Sequence, residues 1–94
     1  MAGYAVLIEK SALKKLESLT QSLRSRVERR IDGLRTDPKP RGSKHLSGGK
    51  INRWRIRQGD IRVIYTIDET RKEVRVITIG SRGDVYKGKL RGKA

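Results

Sequence analysis

The chain has 94 residues, with 24 Lys and Arg against 10 Asp and Glu, a formal charge of +14 and no cysteine. That length suits one domain, read as residues 1–94, and such a domain buries only roughly 60% of its unfolded surface. The absence of cysteine excludes disulfides, thiolate metal sites and thiol nucleophiles, while the charge draws polyanions. No apolar run approaches the ~20 residues that span a bilayer, and the first ten residues do not read as a signal peptide.

Tyr4–Glu9 is a short apolar run that reads as a buried strand. Ser11 is the expected N-cap of a first helix with Leu13, Leu16 and Leu19 on its apolar stripe. Thr20 caps a second helix, in which Leu23, Val27, Ile31 and Leu34 recur at helical spacing and Arg24, Arg26, Glu28, Arg29 and Arg30 cover the other faces. Asp37-Pro38 ends it, giving an αα-hairpin. Residues 38–50 are rich in Pro, Gly and Ser and read as loop.

From Ile51 the period changes to two. Ile51–Arg57, Ile61–Ile67 and Glu73–Ile79 read as strands, with Gln58-Gly59 and Asp68–Lys72 as turns, so an antiparallel meander is expected. The fold class is α+β: an N-terminal strand and αα-hairpin packed on an antiparallel sheet, in the order β-α-α-β-β-β plus a C-terminal tail. The tail, 85–94, is basic and expected to be mobile.

A two-residue loop at Gln58-Gly59 sets Arg57 opposite Asp60, Arg55 opposite Arg62 and Trp54 opposite Val63. One face of the hairpin then carries Trp54, Ile56, Ile61, Val63 and Tyr65; the other carries Arg53, Arg55, Arg57, Asp60 and Arg62. Like charges directly opposite are destabilising, so three converging arginines point to an anion-binding surface rather than to a solvated face. Arg82 and Tyr86 reach that face if the tail folds back across the sheet. The single histidine, His45, lies in the Gly-rich loop and reads as a surface residue.

The order of these features resembles the RelE/ParE toxin superfamily. The resemblance rests on Trp54-Arg55-Ile56-Arg57-Gln58-Gly59-Asp60-Ile61-Arg62-Val63-Ile64-Tyr65 and on Ile79-Gly80-Ser81-Arg82-Gly83-Asp84-Val85-Tyr86, and covers nearly the whole chain. It implies a toxin of a type II toxin–antitoxin system. In the RelE branch such a toxin cleaves mRNA in the ribosomal A site without a metal or other cofactor: the RNA 2′-hydroxyl attacks the adjacent phosphodiester and leaves a 2′,3′-cyclic phosphate.

By the same resemblance Arg55, Arg57, Arg62, Arg82 and Tyr86 match the catalytic set. Arg82 corresponds to the leaving-group acid or charge stabiliser and Tyr86 to the residue that stacks on or orients a base. The neighbouring Lys44, Lys50, Arg53 and Lys87 are assigned to RNA or ribosome binding. The chain departs from the family in having Ser81 where many relatives have His, and Arg55 and Arg57 where RelE has lysines. Arginine effectively cannot deprotonate, so no general base is assigned, although Tyr86 or Asp84 can assist. The implied partners are the ribosome, mRNA and an antitoxin with an acidic helical segment, and the implied place is a prokaryotic cytoplasm. Two alternatives stay open: a ParE-like inhibitor of DNA gyrase, and a non-catalytic nucleic-acid or antitoxin-binding protein.

Overall fold

The computed structural model describes residues 3–46 and 52–81. Strand β1 (Ala5–Ile8) leads into helices α1 (Lys10–Glu17) and α2 (Gln21–Gly33). Strands β2 (Lys44–Leu46), β3 (Arg53–Gln58), β4 (Ile61–Asp68) and β5 (Glu73–Ser81) follow. They form one five-stranded sheet in the order β1-β5-β4-β3-β2. The α+β class and the β-α-α start agree with the sequence reading; Ile51, expected to open a strand, lies outside the described residues.

The sheet is mixed rather than antiparallel throughout, because β1 pairs with β5 in parallel, Val6 beside Val74 and Ile8 beside Val76. The cause is the short strand β2, formed inside the segment expected to be loop. Its three residues pair antiparallel with β3, Lys44 opposite Arg55 and Leu46 opposite Arg53. One added strand adds one reversal to the meander, which turns β5 to run with β1.

Helix α1 starts two residues earlier than expected. Its N-cap is Glu9, with no side-chain cap bond. The Glu9 N–H is taken by the Val76 carbonyl at 2.9 Å, so the chain passes from sheet to helix without a spare residue and Ser11 falls inside the first turn. Thr20 does cap α2, its hydroxyl accepting from the Leu23 N–H at 3.4 Å. Thr20→Ala is expected to cost about 0.5–1 kcal/mol, the low end for a cap with so long a bond. Urea unfolding checks this, and an unchanged midpoint would show the cap idle.

The core lies between the helices and one face of the sheet. Ala12, Leu16, Val27, Ile31 and Leu34 pack on Ile56, Ile61, Val63, Tyr65, Ile67, Val74, Val76 and Ile79. With no Phe in the chain, Tyr65 is the largest fully buried side chain among the described residues. The Tyr65 hydroxyl donates to the Pro38 carbonyl at 2.7 Å and so ties the segment after α2 to the sheet.

Val74 and Val76 are two apart, but Val76 and Ile79 are three apart, and all three face the helices. A bulge reconciles them. Tyr65 pairs with Val76 and Ile64 with Thr78, leaving Ile77 as the extra residue. The bulge resets the alternation, so Thr78 and Gly80 fall on the face away from the helices.

Candidate functional site: an arginine face on the sheet

The β3–β4 turn decides which arginines meet. Gly59 has φ +63°, and glycine at the first central position with positive φ is the signature of a II′ turn. The turn residues are therefore Gly59-Asp60, not Gln58-Gly59. Gln58 pairs with Ile61, Arg57 with Arg62, Ile56 with Val63, Arg55 with Ile64 and Trp54 with Tyr65. The expected opposition of Arg55 and Arg62 is thus corrected to Arg57 and Arg62, and Asp60 stands in the turn rather than opposite Arg57. The slide changes every partner by two residues, so both faces keep their members apart from Asp60.

Across the face away from the helices, residues align in rows. One row runs Arg57, Arg62, Gly80; the next runs Lys44, Arg55, Ile64, Thr78; the third runs Leu46, Arg53, Thr66, Arg75. Side chains in a row stand about 4.5–5.5 Å apart at Cβ. Lys44, Arg53, Arg55, Arg57 and Arg62 are therefore neighbours on one surface. Lys50, Arg82, Tyr86 and Lys87 lie outside the described residues. His45 is exposed, as expected. It faces the other way, with its ring 4.9 Å from that of Trp54 and its Nε2 2.6 Å from the Asn52 Oδ1.

The electrostatics are unbalanced. Arg75, in the third row, has Glu9 at 3.6 Å. Among the described residues no carboxylate pairs with Arg53, Arg55 or Arg57. The Nε atoms of Arg53 and Arg55 are buried without a hydrogen-bond partner, and a buried unmet donor costs about 1–3 kcal/mol. Arg62 is only 6% exposed, the one charged residue buried among the described residues. Near a protein surface an anion a few ångström from a guanidinium is attracted by on the order of 4 kcal/mol, and the register of Arg57 with Arg62 offers two such groups side by side. Guanidinium forks suit the oxygens of phosphate.

Ile64 was not expected in this setting. It is 6% exposed yet lies among the arginines rather than in the helix-side cluster. The sequence shows it only as one more apolar residue in β4. On the arginine face its side chain lowers the local dielectric, which strengthens electrostatic contacts made there.

The family model of the ParE toxin of type II toxin–antitoxin systems, parDE, matches residues 6–86. The chain belongs to the RelE/ParE toxin superfamily. Its likeness to solved RelE structures spans nearly the whole fold. It is 33% identical to a chain of the archaeal RelE–RelB complex from Pyrococcus horikoshii OT3, covering 85% of this chain and 96% of that one, with a TM-score of 0.76. It is similar in fold to a chain of the RelBE2 toxin–antitoxin complex of Mycobacterium tuberculosis, at 23% identity, 86% and 100% coverage and TM-score 0.74. The isolated E. coli RelE toxin is similar in the same way, at 21% identity, 97% and 99% coverage and TM-score 0.72. Comparison with curated proteins returned no match. As a RelE/ParE member the chain is a toxin of a type II toxin–antitoxin system, RelE-like in structure. No helix among its described residues is long and apolar enough to cross a membrane.

Proposed function

We propose that this RelE-like toxin is a ribosome-dependent endoribonuclease that cleaves mRNA in the A site. The observation that carries the reading is the pairing of Arg57 with the buried Arg62, Arg55 lying on the same face. In the reaction, the 2′-oxygen forms a bond to phosphorus as the bond to the 5′-oxygen breaks. The 2′-proton is lost and the departing 5′-oxygen gains one, leaving a 2′,3′-cyclic phosphate and a 5′-hydroxyl. The pentacoordinate phosphorane carries more negative charge than the diester. Guanidinium groups already held in place therefore favour the transition state over the ground state.

Arg62, preorganised by burial, and Arg57 beside it hold the nonbridging oxygens. Arg55 is the third charge. Arg82 serves as leaving-group acid or charge stabiliser, and Tyr86 orients a base, a contact worth about 1–3 kcal/mol. Lys44 and Arg53 extend the surface for RNA backbone, and Lys50 and Lys87 add to it. The toxin acts in a prokaryotic cytoplasm. The Pyrococcus and Mycobacterium relatives were solved as toxin–antitoxin complexes, which supports a cognate antitoxin here. An acidic helical segment of that antitoxin answers the +14 charge.

The test is primer extension on a reporter mRNA with programmed ribosomes, beside ribosome-free RNA. Cuts within the A-site codon only in the presence of ribosomes are expected. The family model that matches is named for ParE, which favours gyrase poisoning as the second reading. No cleavage in either tube, together with trapped gyrase–DNA complexes, would replace the first reading by the second.

A further inference from the structure

The arginines of α2 do not all serve as a solvated surface. Arg24 is paired with Glu28 at 3.0 Å, and Asp32 with Arg35 at 2.7 Å. Both carboxylates of the helix are thereby engaged. Arg26, Arg29 and Arg30 remain, and among the described residues none of them has an ion-pair partner. They stand at i, i+3 and i+4, so they share one side of the helix, where like charges repel. Arg26 and Arg29 are exposed and Arg30 is half-buried, with its Nε buried and unbonded.

These three side chains and Gln58 line a cleft of about 320 Å³. Gln58 is the last residue of β3 and faces the helices beside Ile56. Its neighbour Arg57 points to the opposite face. The Gly59-Asp60 turn is therefore a narrow rim, with Arg57 and Arg62 on one side and the α2 cleft on the other. Among the described residues no carboxylate lines the cleft. Guanidinium forks and the Gln58 amide offer only hydrogen-bond donors suited to an anion, apart from one amide oxygen.

We infer that the cleft formed by Arg26, Arg29, Arg30 and Gln58 is a second phosphate-binding subsite, which holds the RNA backbone after it passes around the β3–β4 turn from the arginine face. This rests on the proposed action on RNA and deepens it. The subsite takes part in binding and not in the chemistry. Nearness to the arginine face favours a continuous polyanion over a separate acidic peptide, because one strand reaches both sides of the rim.

The experiment is fluorescence anisotropy of the full chain with a fluorescein-labelled, 2′-O-methylated single-stranded RNA, which cannot be cleaved by 2′-oxygen attack, over a salt series. Arg26→Gln/Arg29→Gln is expected to bind roughly tenfold or more weakly at low salt. The slope of log K against log salt should fall by about 1.4, since each phosphate contact on a single strand contributes about 0.7. Thermal unfolding should be unchanged or raised, since repulsion is removed. Arg29→Gln alone, a smaller change, should lower the slope by about 0.7.

Wild-type affinity and slope in folded variants would overturn the subsite, even if the toxin cleaves mRNA on ribosomes. A lowered slope in a protein that cleaves nothing would keep the subsite and count against the nuclease reading alone. Loss of binding to poly-glutamate with RNA binding intact would make the cleft a peptide site and overturn the proposal.

Discussion

Arg62→Ala is expected to lower A-site cleavage by roughly 10²–10³-fold, the loss seen when one preorganised stabiliser of a developing oxyanion is removed. The argument starts from burial. Arg62 is 6% exposed and pairs across the strands with Arg57. A guanidinium shielded from water interacts more strongly with a phosphorane than an exposed one, so Arg62 should matter more than Arg57, whose side chain is exposed. Arg57→Ala is expected to fall less. Arg62→Lys keeps the charge but loses the planar fork, so it should fall between wild type and Arg62→Ala.

Stability should move differently. Truncation of this buried side chain leaves a cavity, which destabilises, so a loss of about 1–3 kcal/mol is expected. Single-turnover cleavage on programmed ribosomes and urea unfolding separate the two readouts. Full cleavage by a folded Arg62→Ala protein would remove Arg62 from the catalytic set. Arg82→Ala, measured in the same assay, is expected to lose most cleavage as well.

The parts of this site legible in the sequence are those fixed by parity. Trp54, Ile56, Ile61, Val63 and Tyr65 alternate with Arg53, Arg55, Arg57 and Arg62, and any register that mixes them exposes apolar groups. Parity does not distinguish a register from one shifted by two partners, so it could not decide between Arg55 and Arg57 as the neighbour of Arg62. The turn made that choice, through the positive φ of Gly59. Strand β2 was hidden for another reason. Three residues, Lys44, His45 and Leu46, are too few to show a period, and they sit among Gly and Ser. Missing β2 meant missing the reversal that sets β5 parallel to β1. The Ile77 bulge, by contrast, leaves a trace in the three-residue step from Val76 to Ile79. The repulsive spacing of Arg26, Arg29 and Arg30 was visible as well, but the cleft depends on Gln58 arriving from another element, and only tertiary structure brings it there.

Tyr65 supplies a second expected effect, on stability against alkali. Desolvation by burial is the largest cause that pushes its hydroxyl from the ordinary value of 10.0 to about 12. A hydrogen bond with Ser43 lowers it, the nearby Asp37 raises it and Arg30 lowers it, each by less. The hydroxyl is neutral in both folded and unfolded chains at pH 7. Above about pH 10 the unfolded chain releases this proton while the folded chain keeps it, so rising pH favours unfolding. The contribution is fully present below pH 10 and is lost as pH passes through about 12. Two units correspond to at most about 2.7 kcal/mol, and about 1–2 kcal/mol is expected once solvent screening near the Pro38 segment is allowed for. Tyr65→Phe removes the titration and the bond to the Pro38 carbonyl together. At pH 7 the variant should be about 1 kcal/mol less stable, and between pH 10 and 12 that gap should close or reverse. Lysine titration is common to both proteins and cancels in the difference. Urea unfolding of the pair across this range is the measurement. A variant that loses stability as steeply as its parent between pH 10 and 12 would show that the buried hydroxyl is not what weakens this fold in alkali.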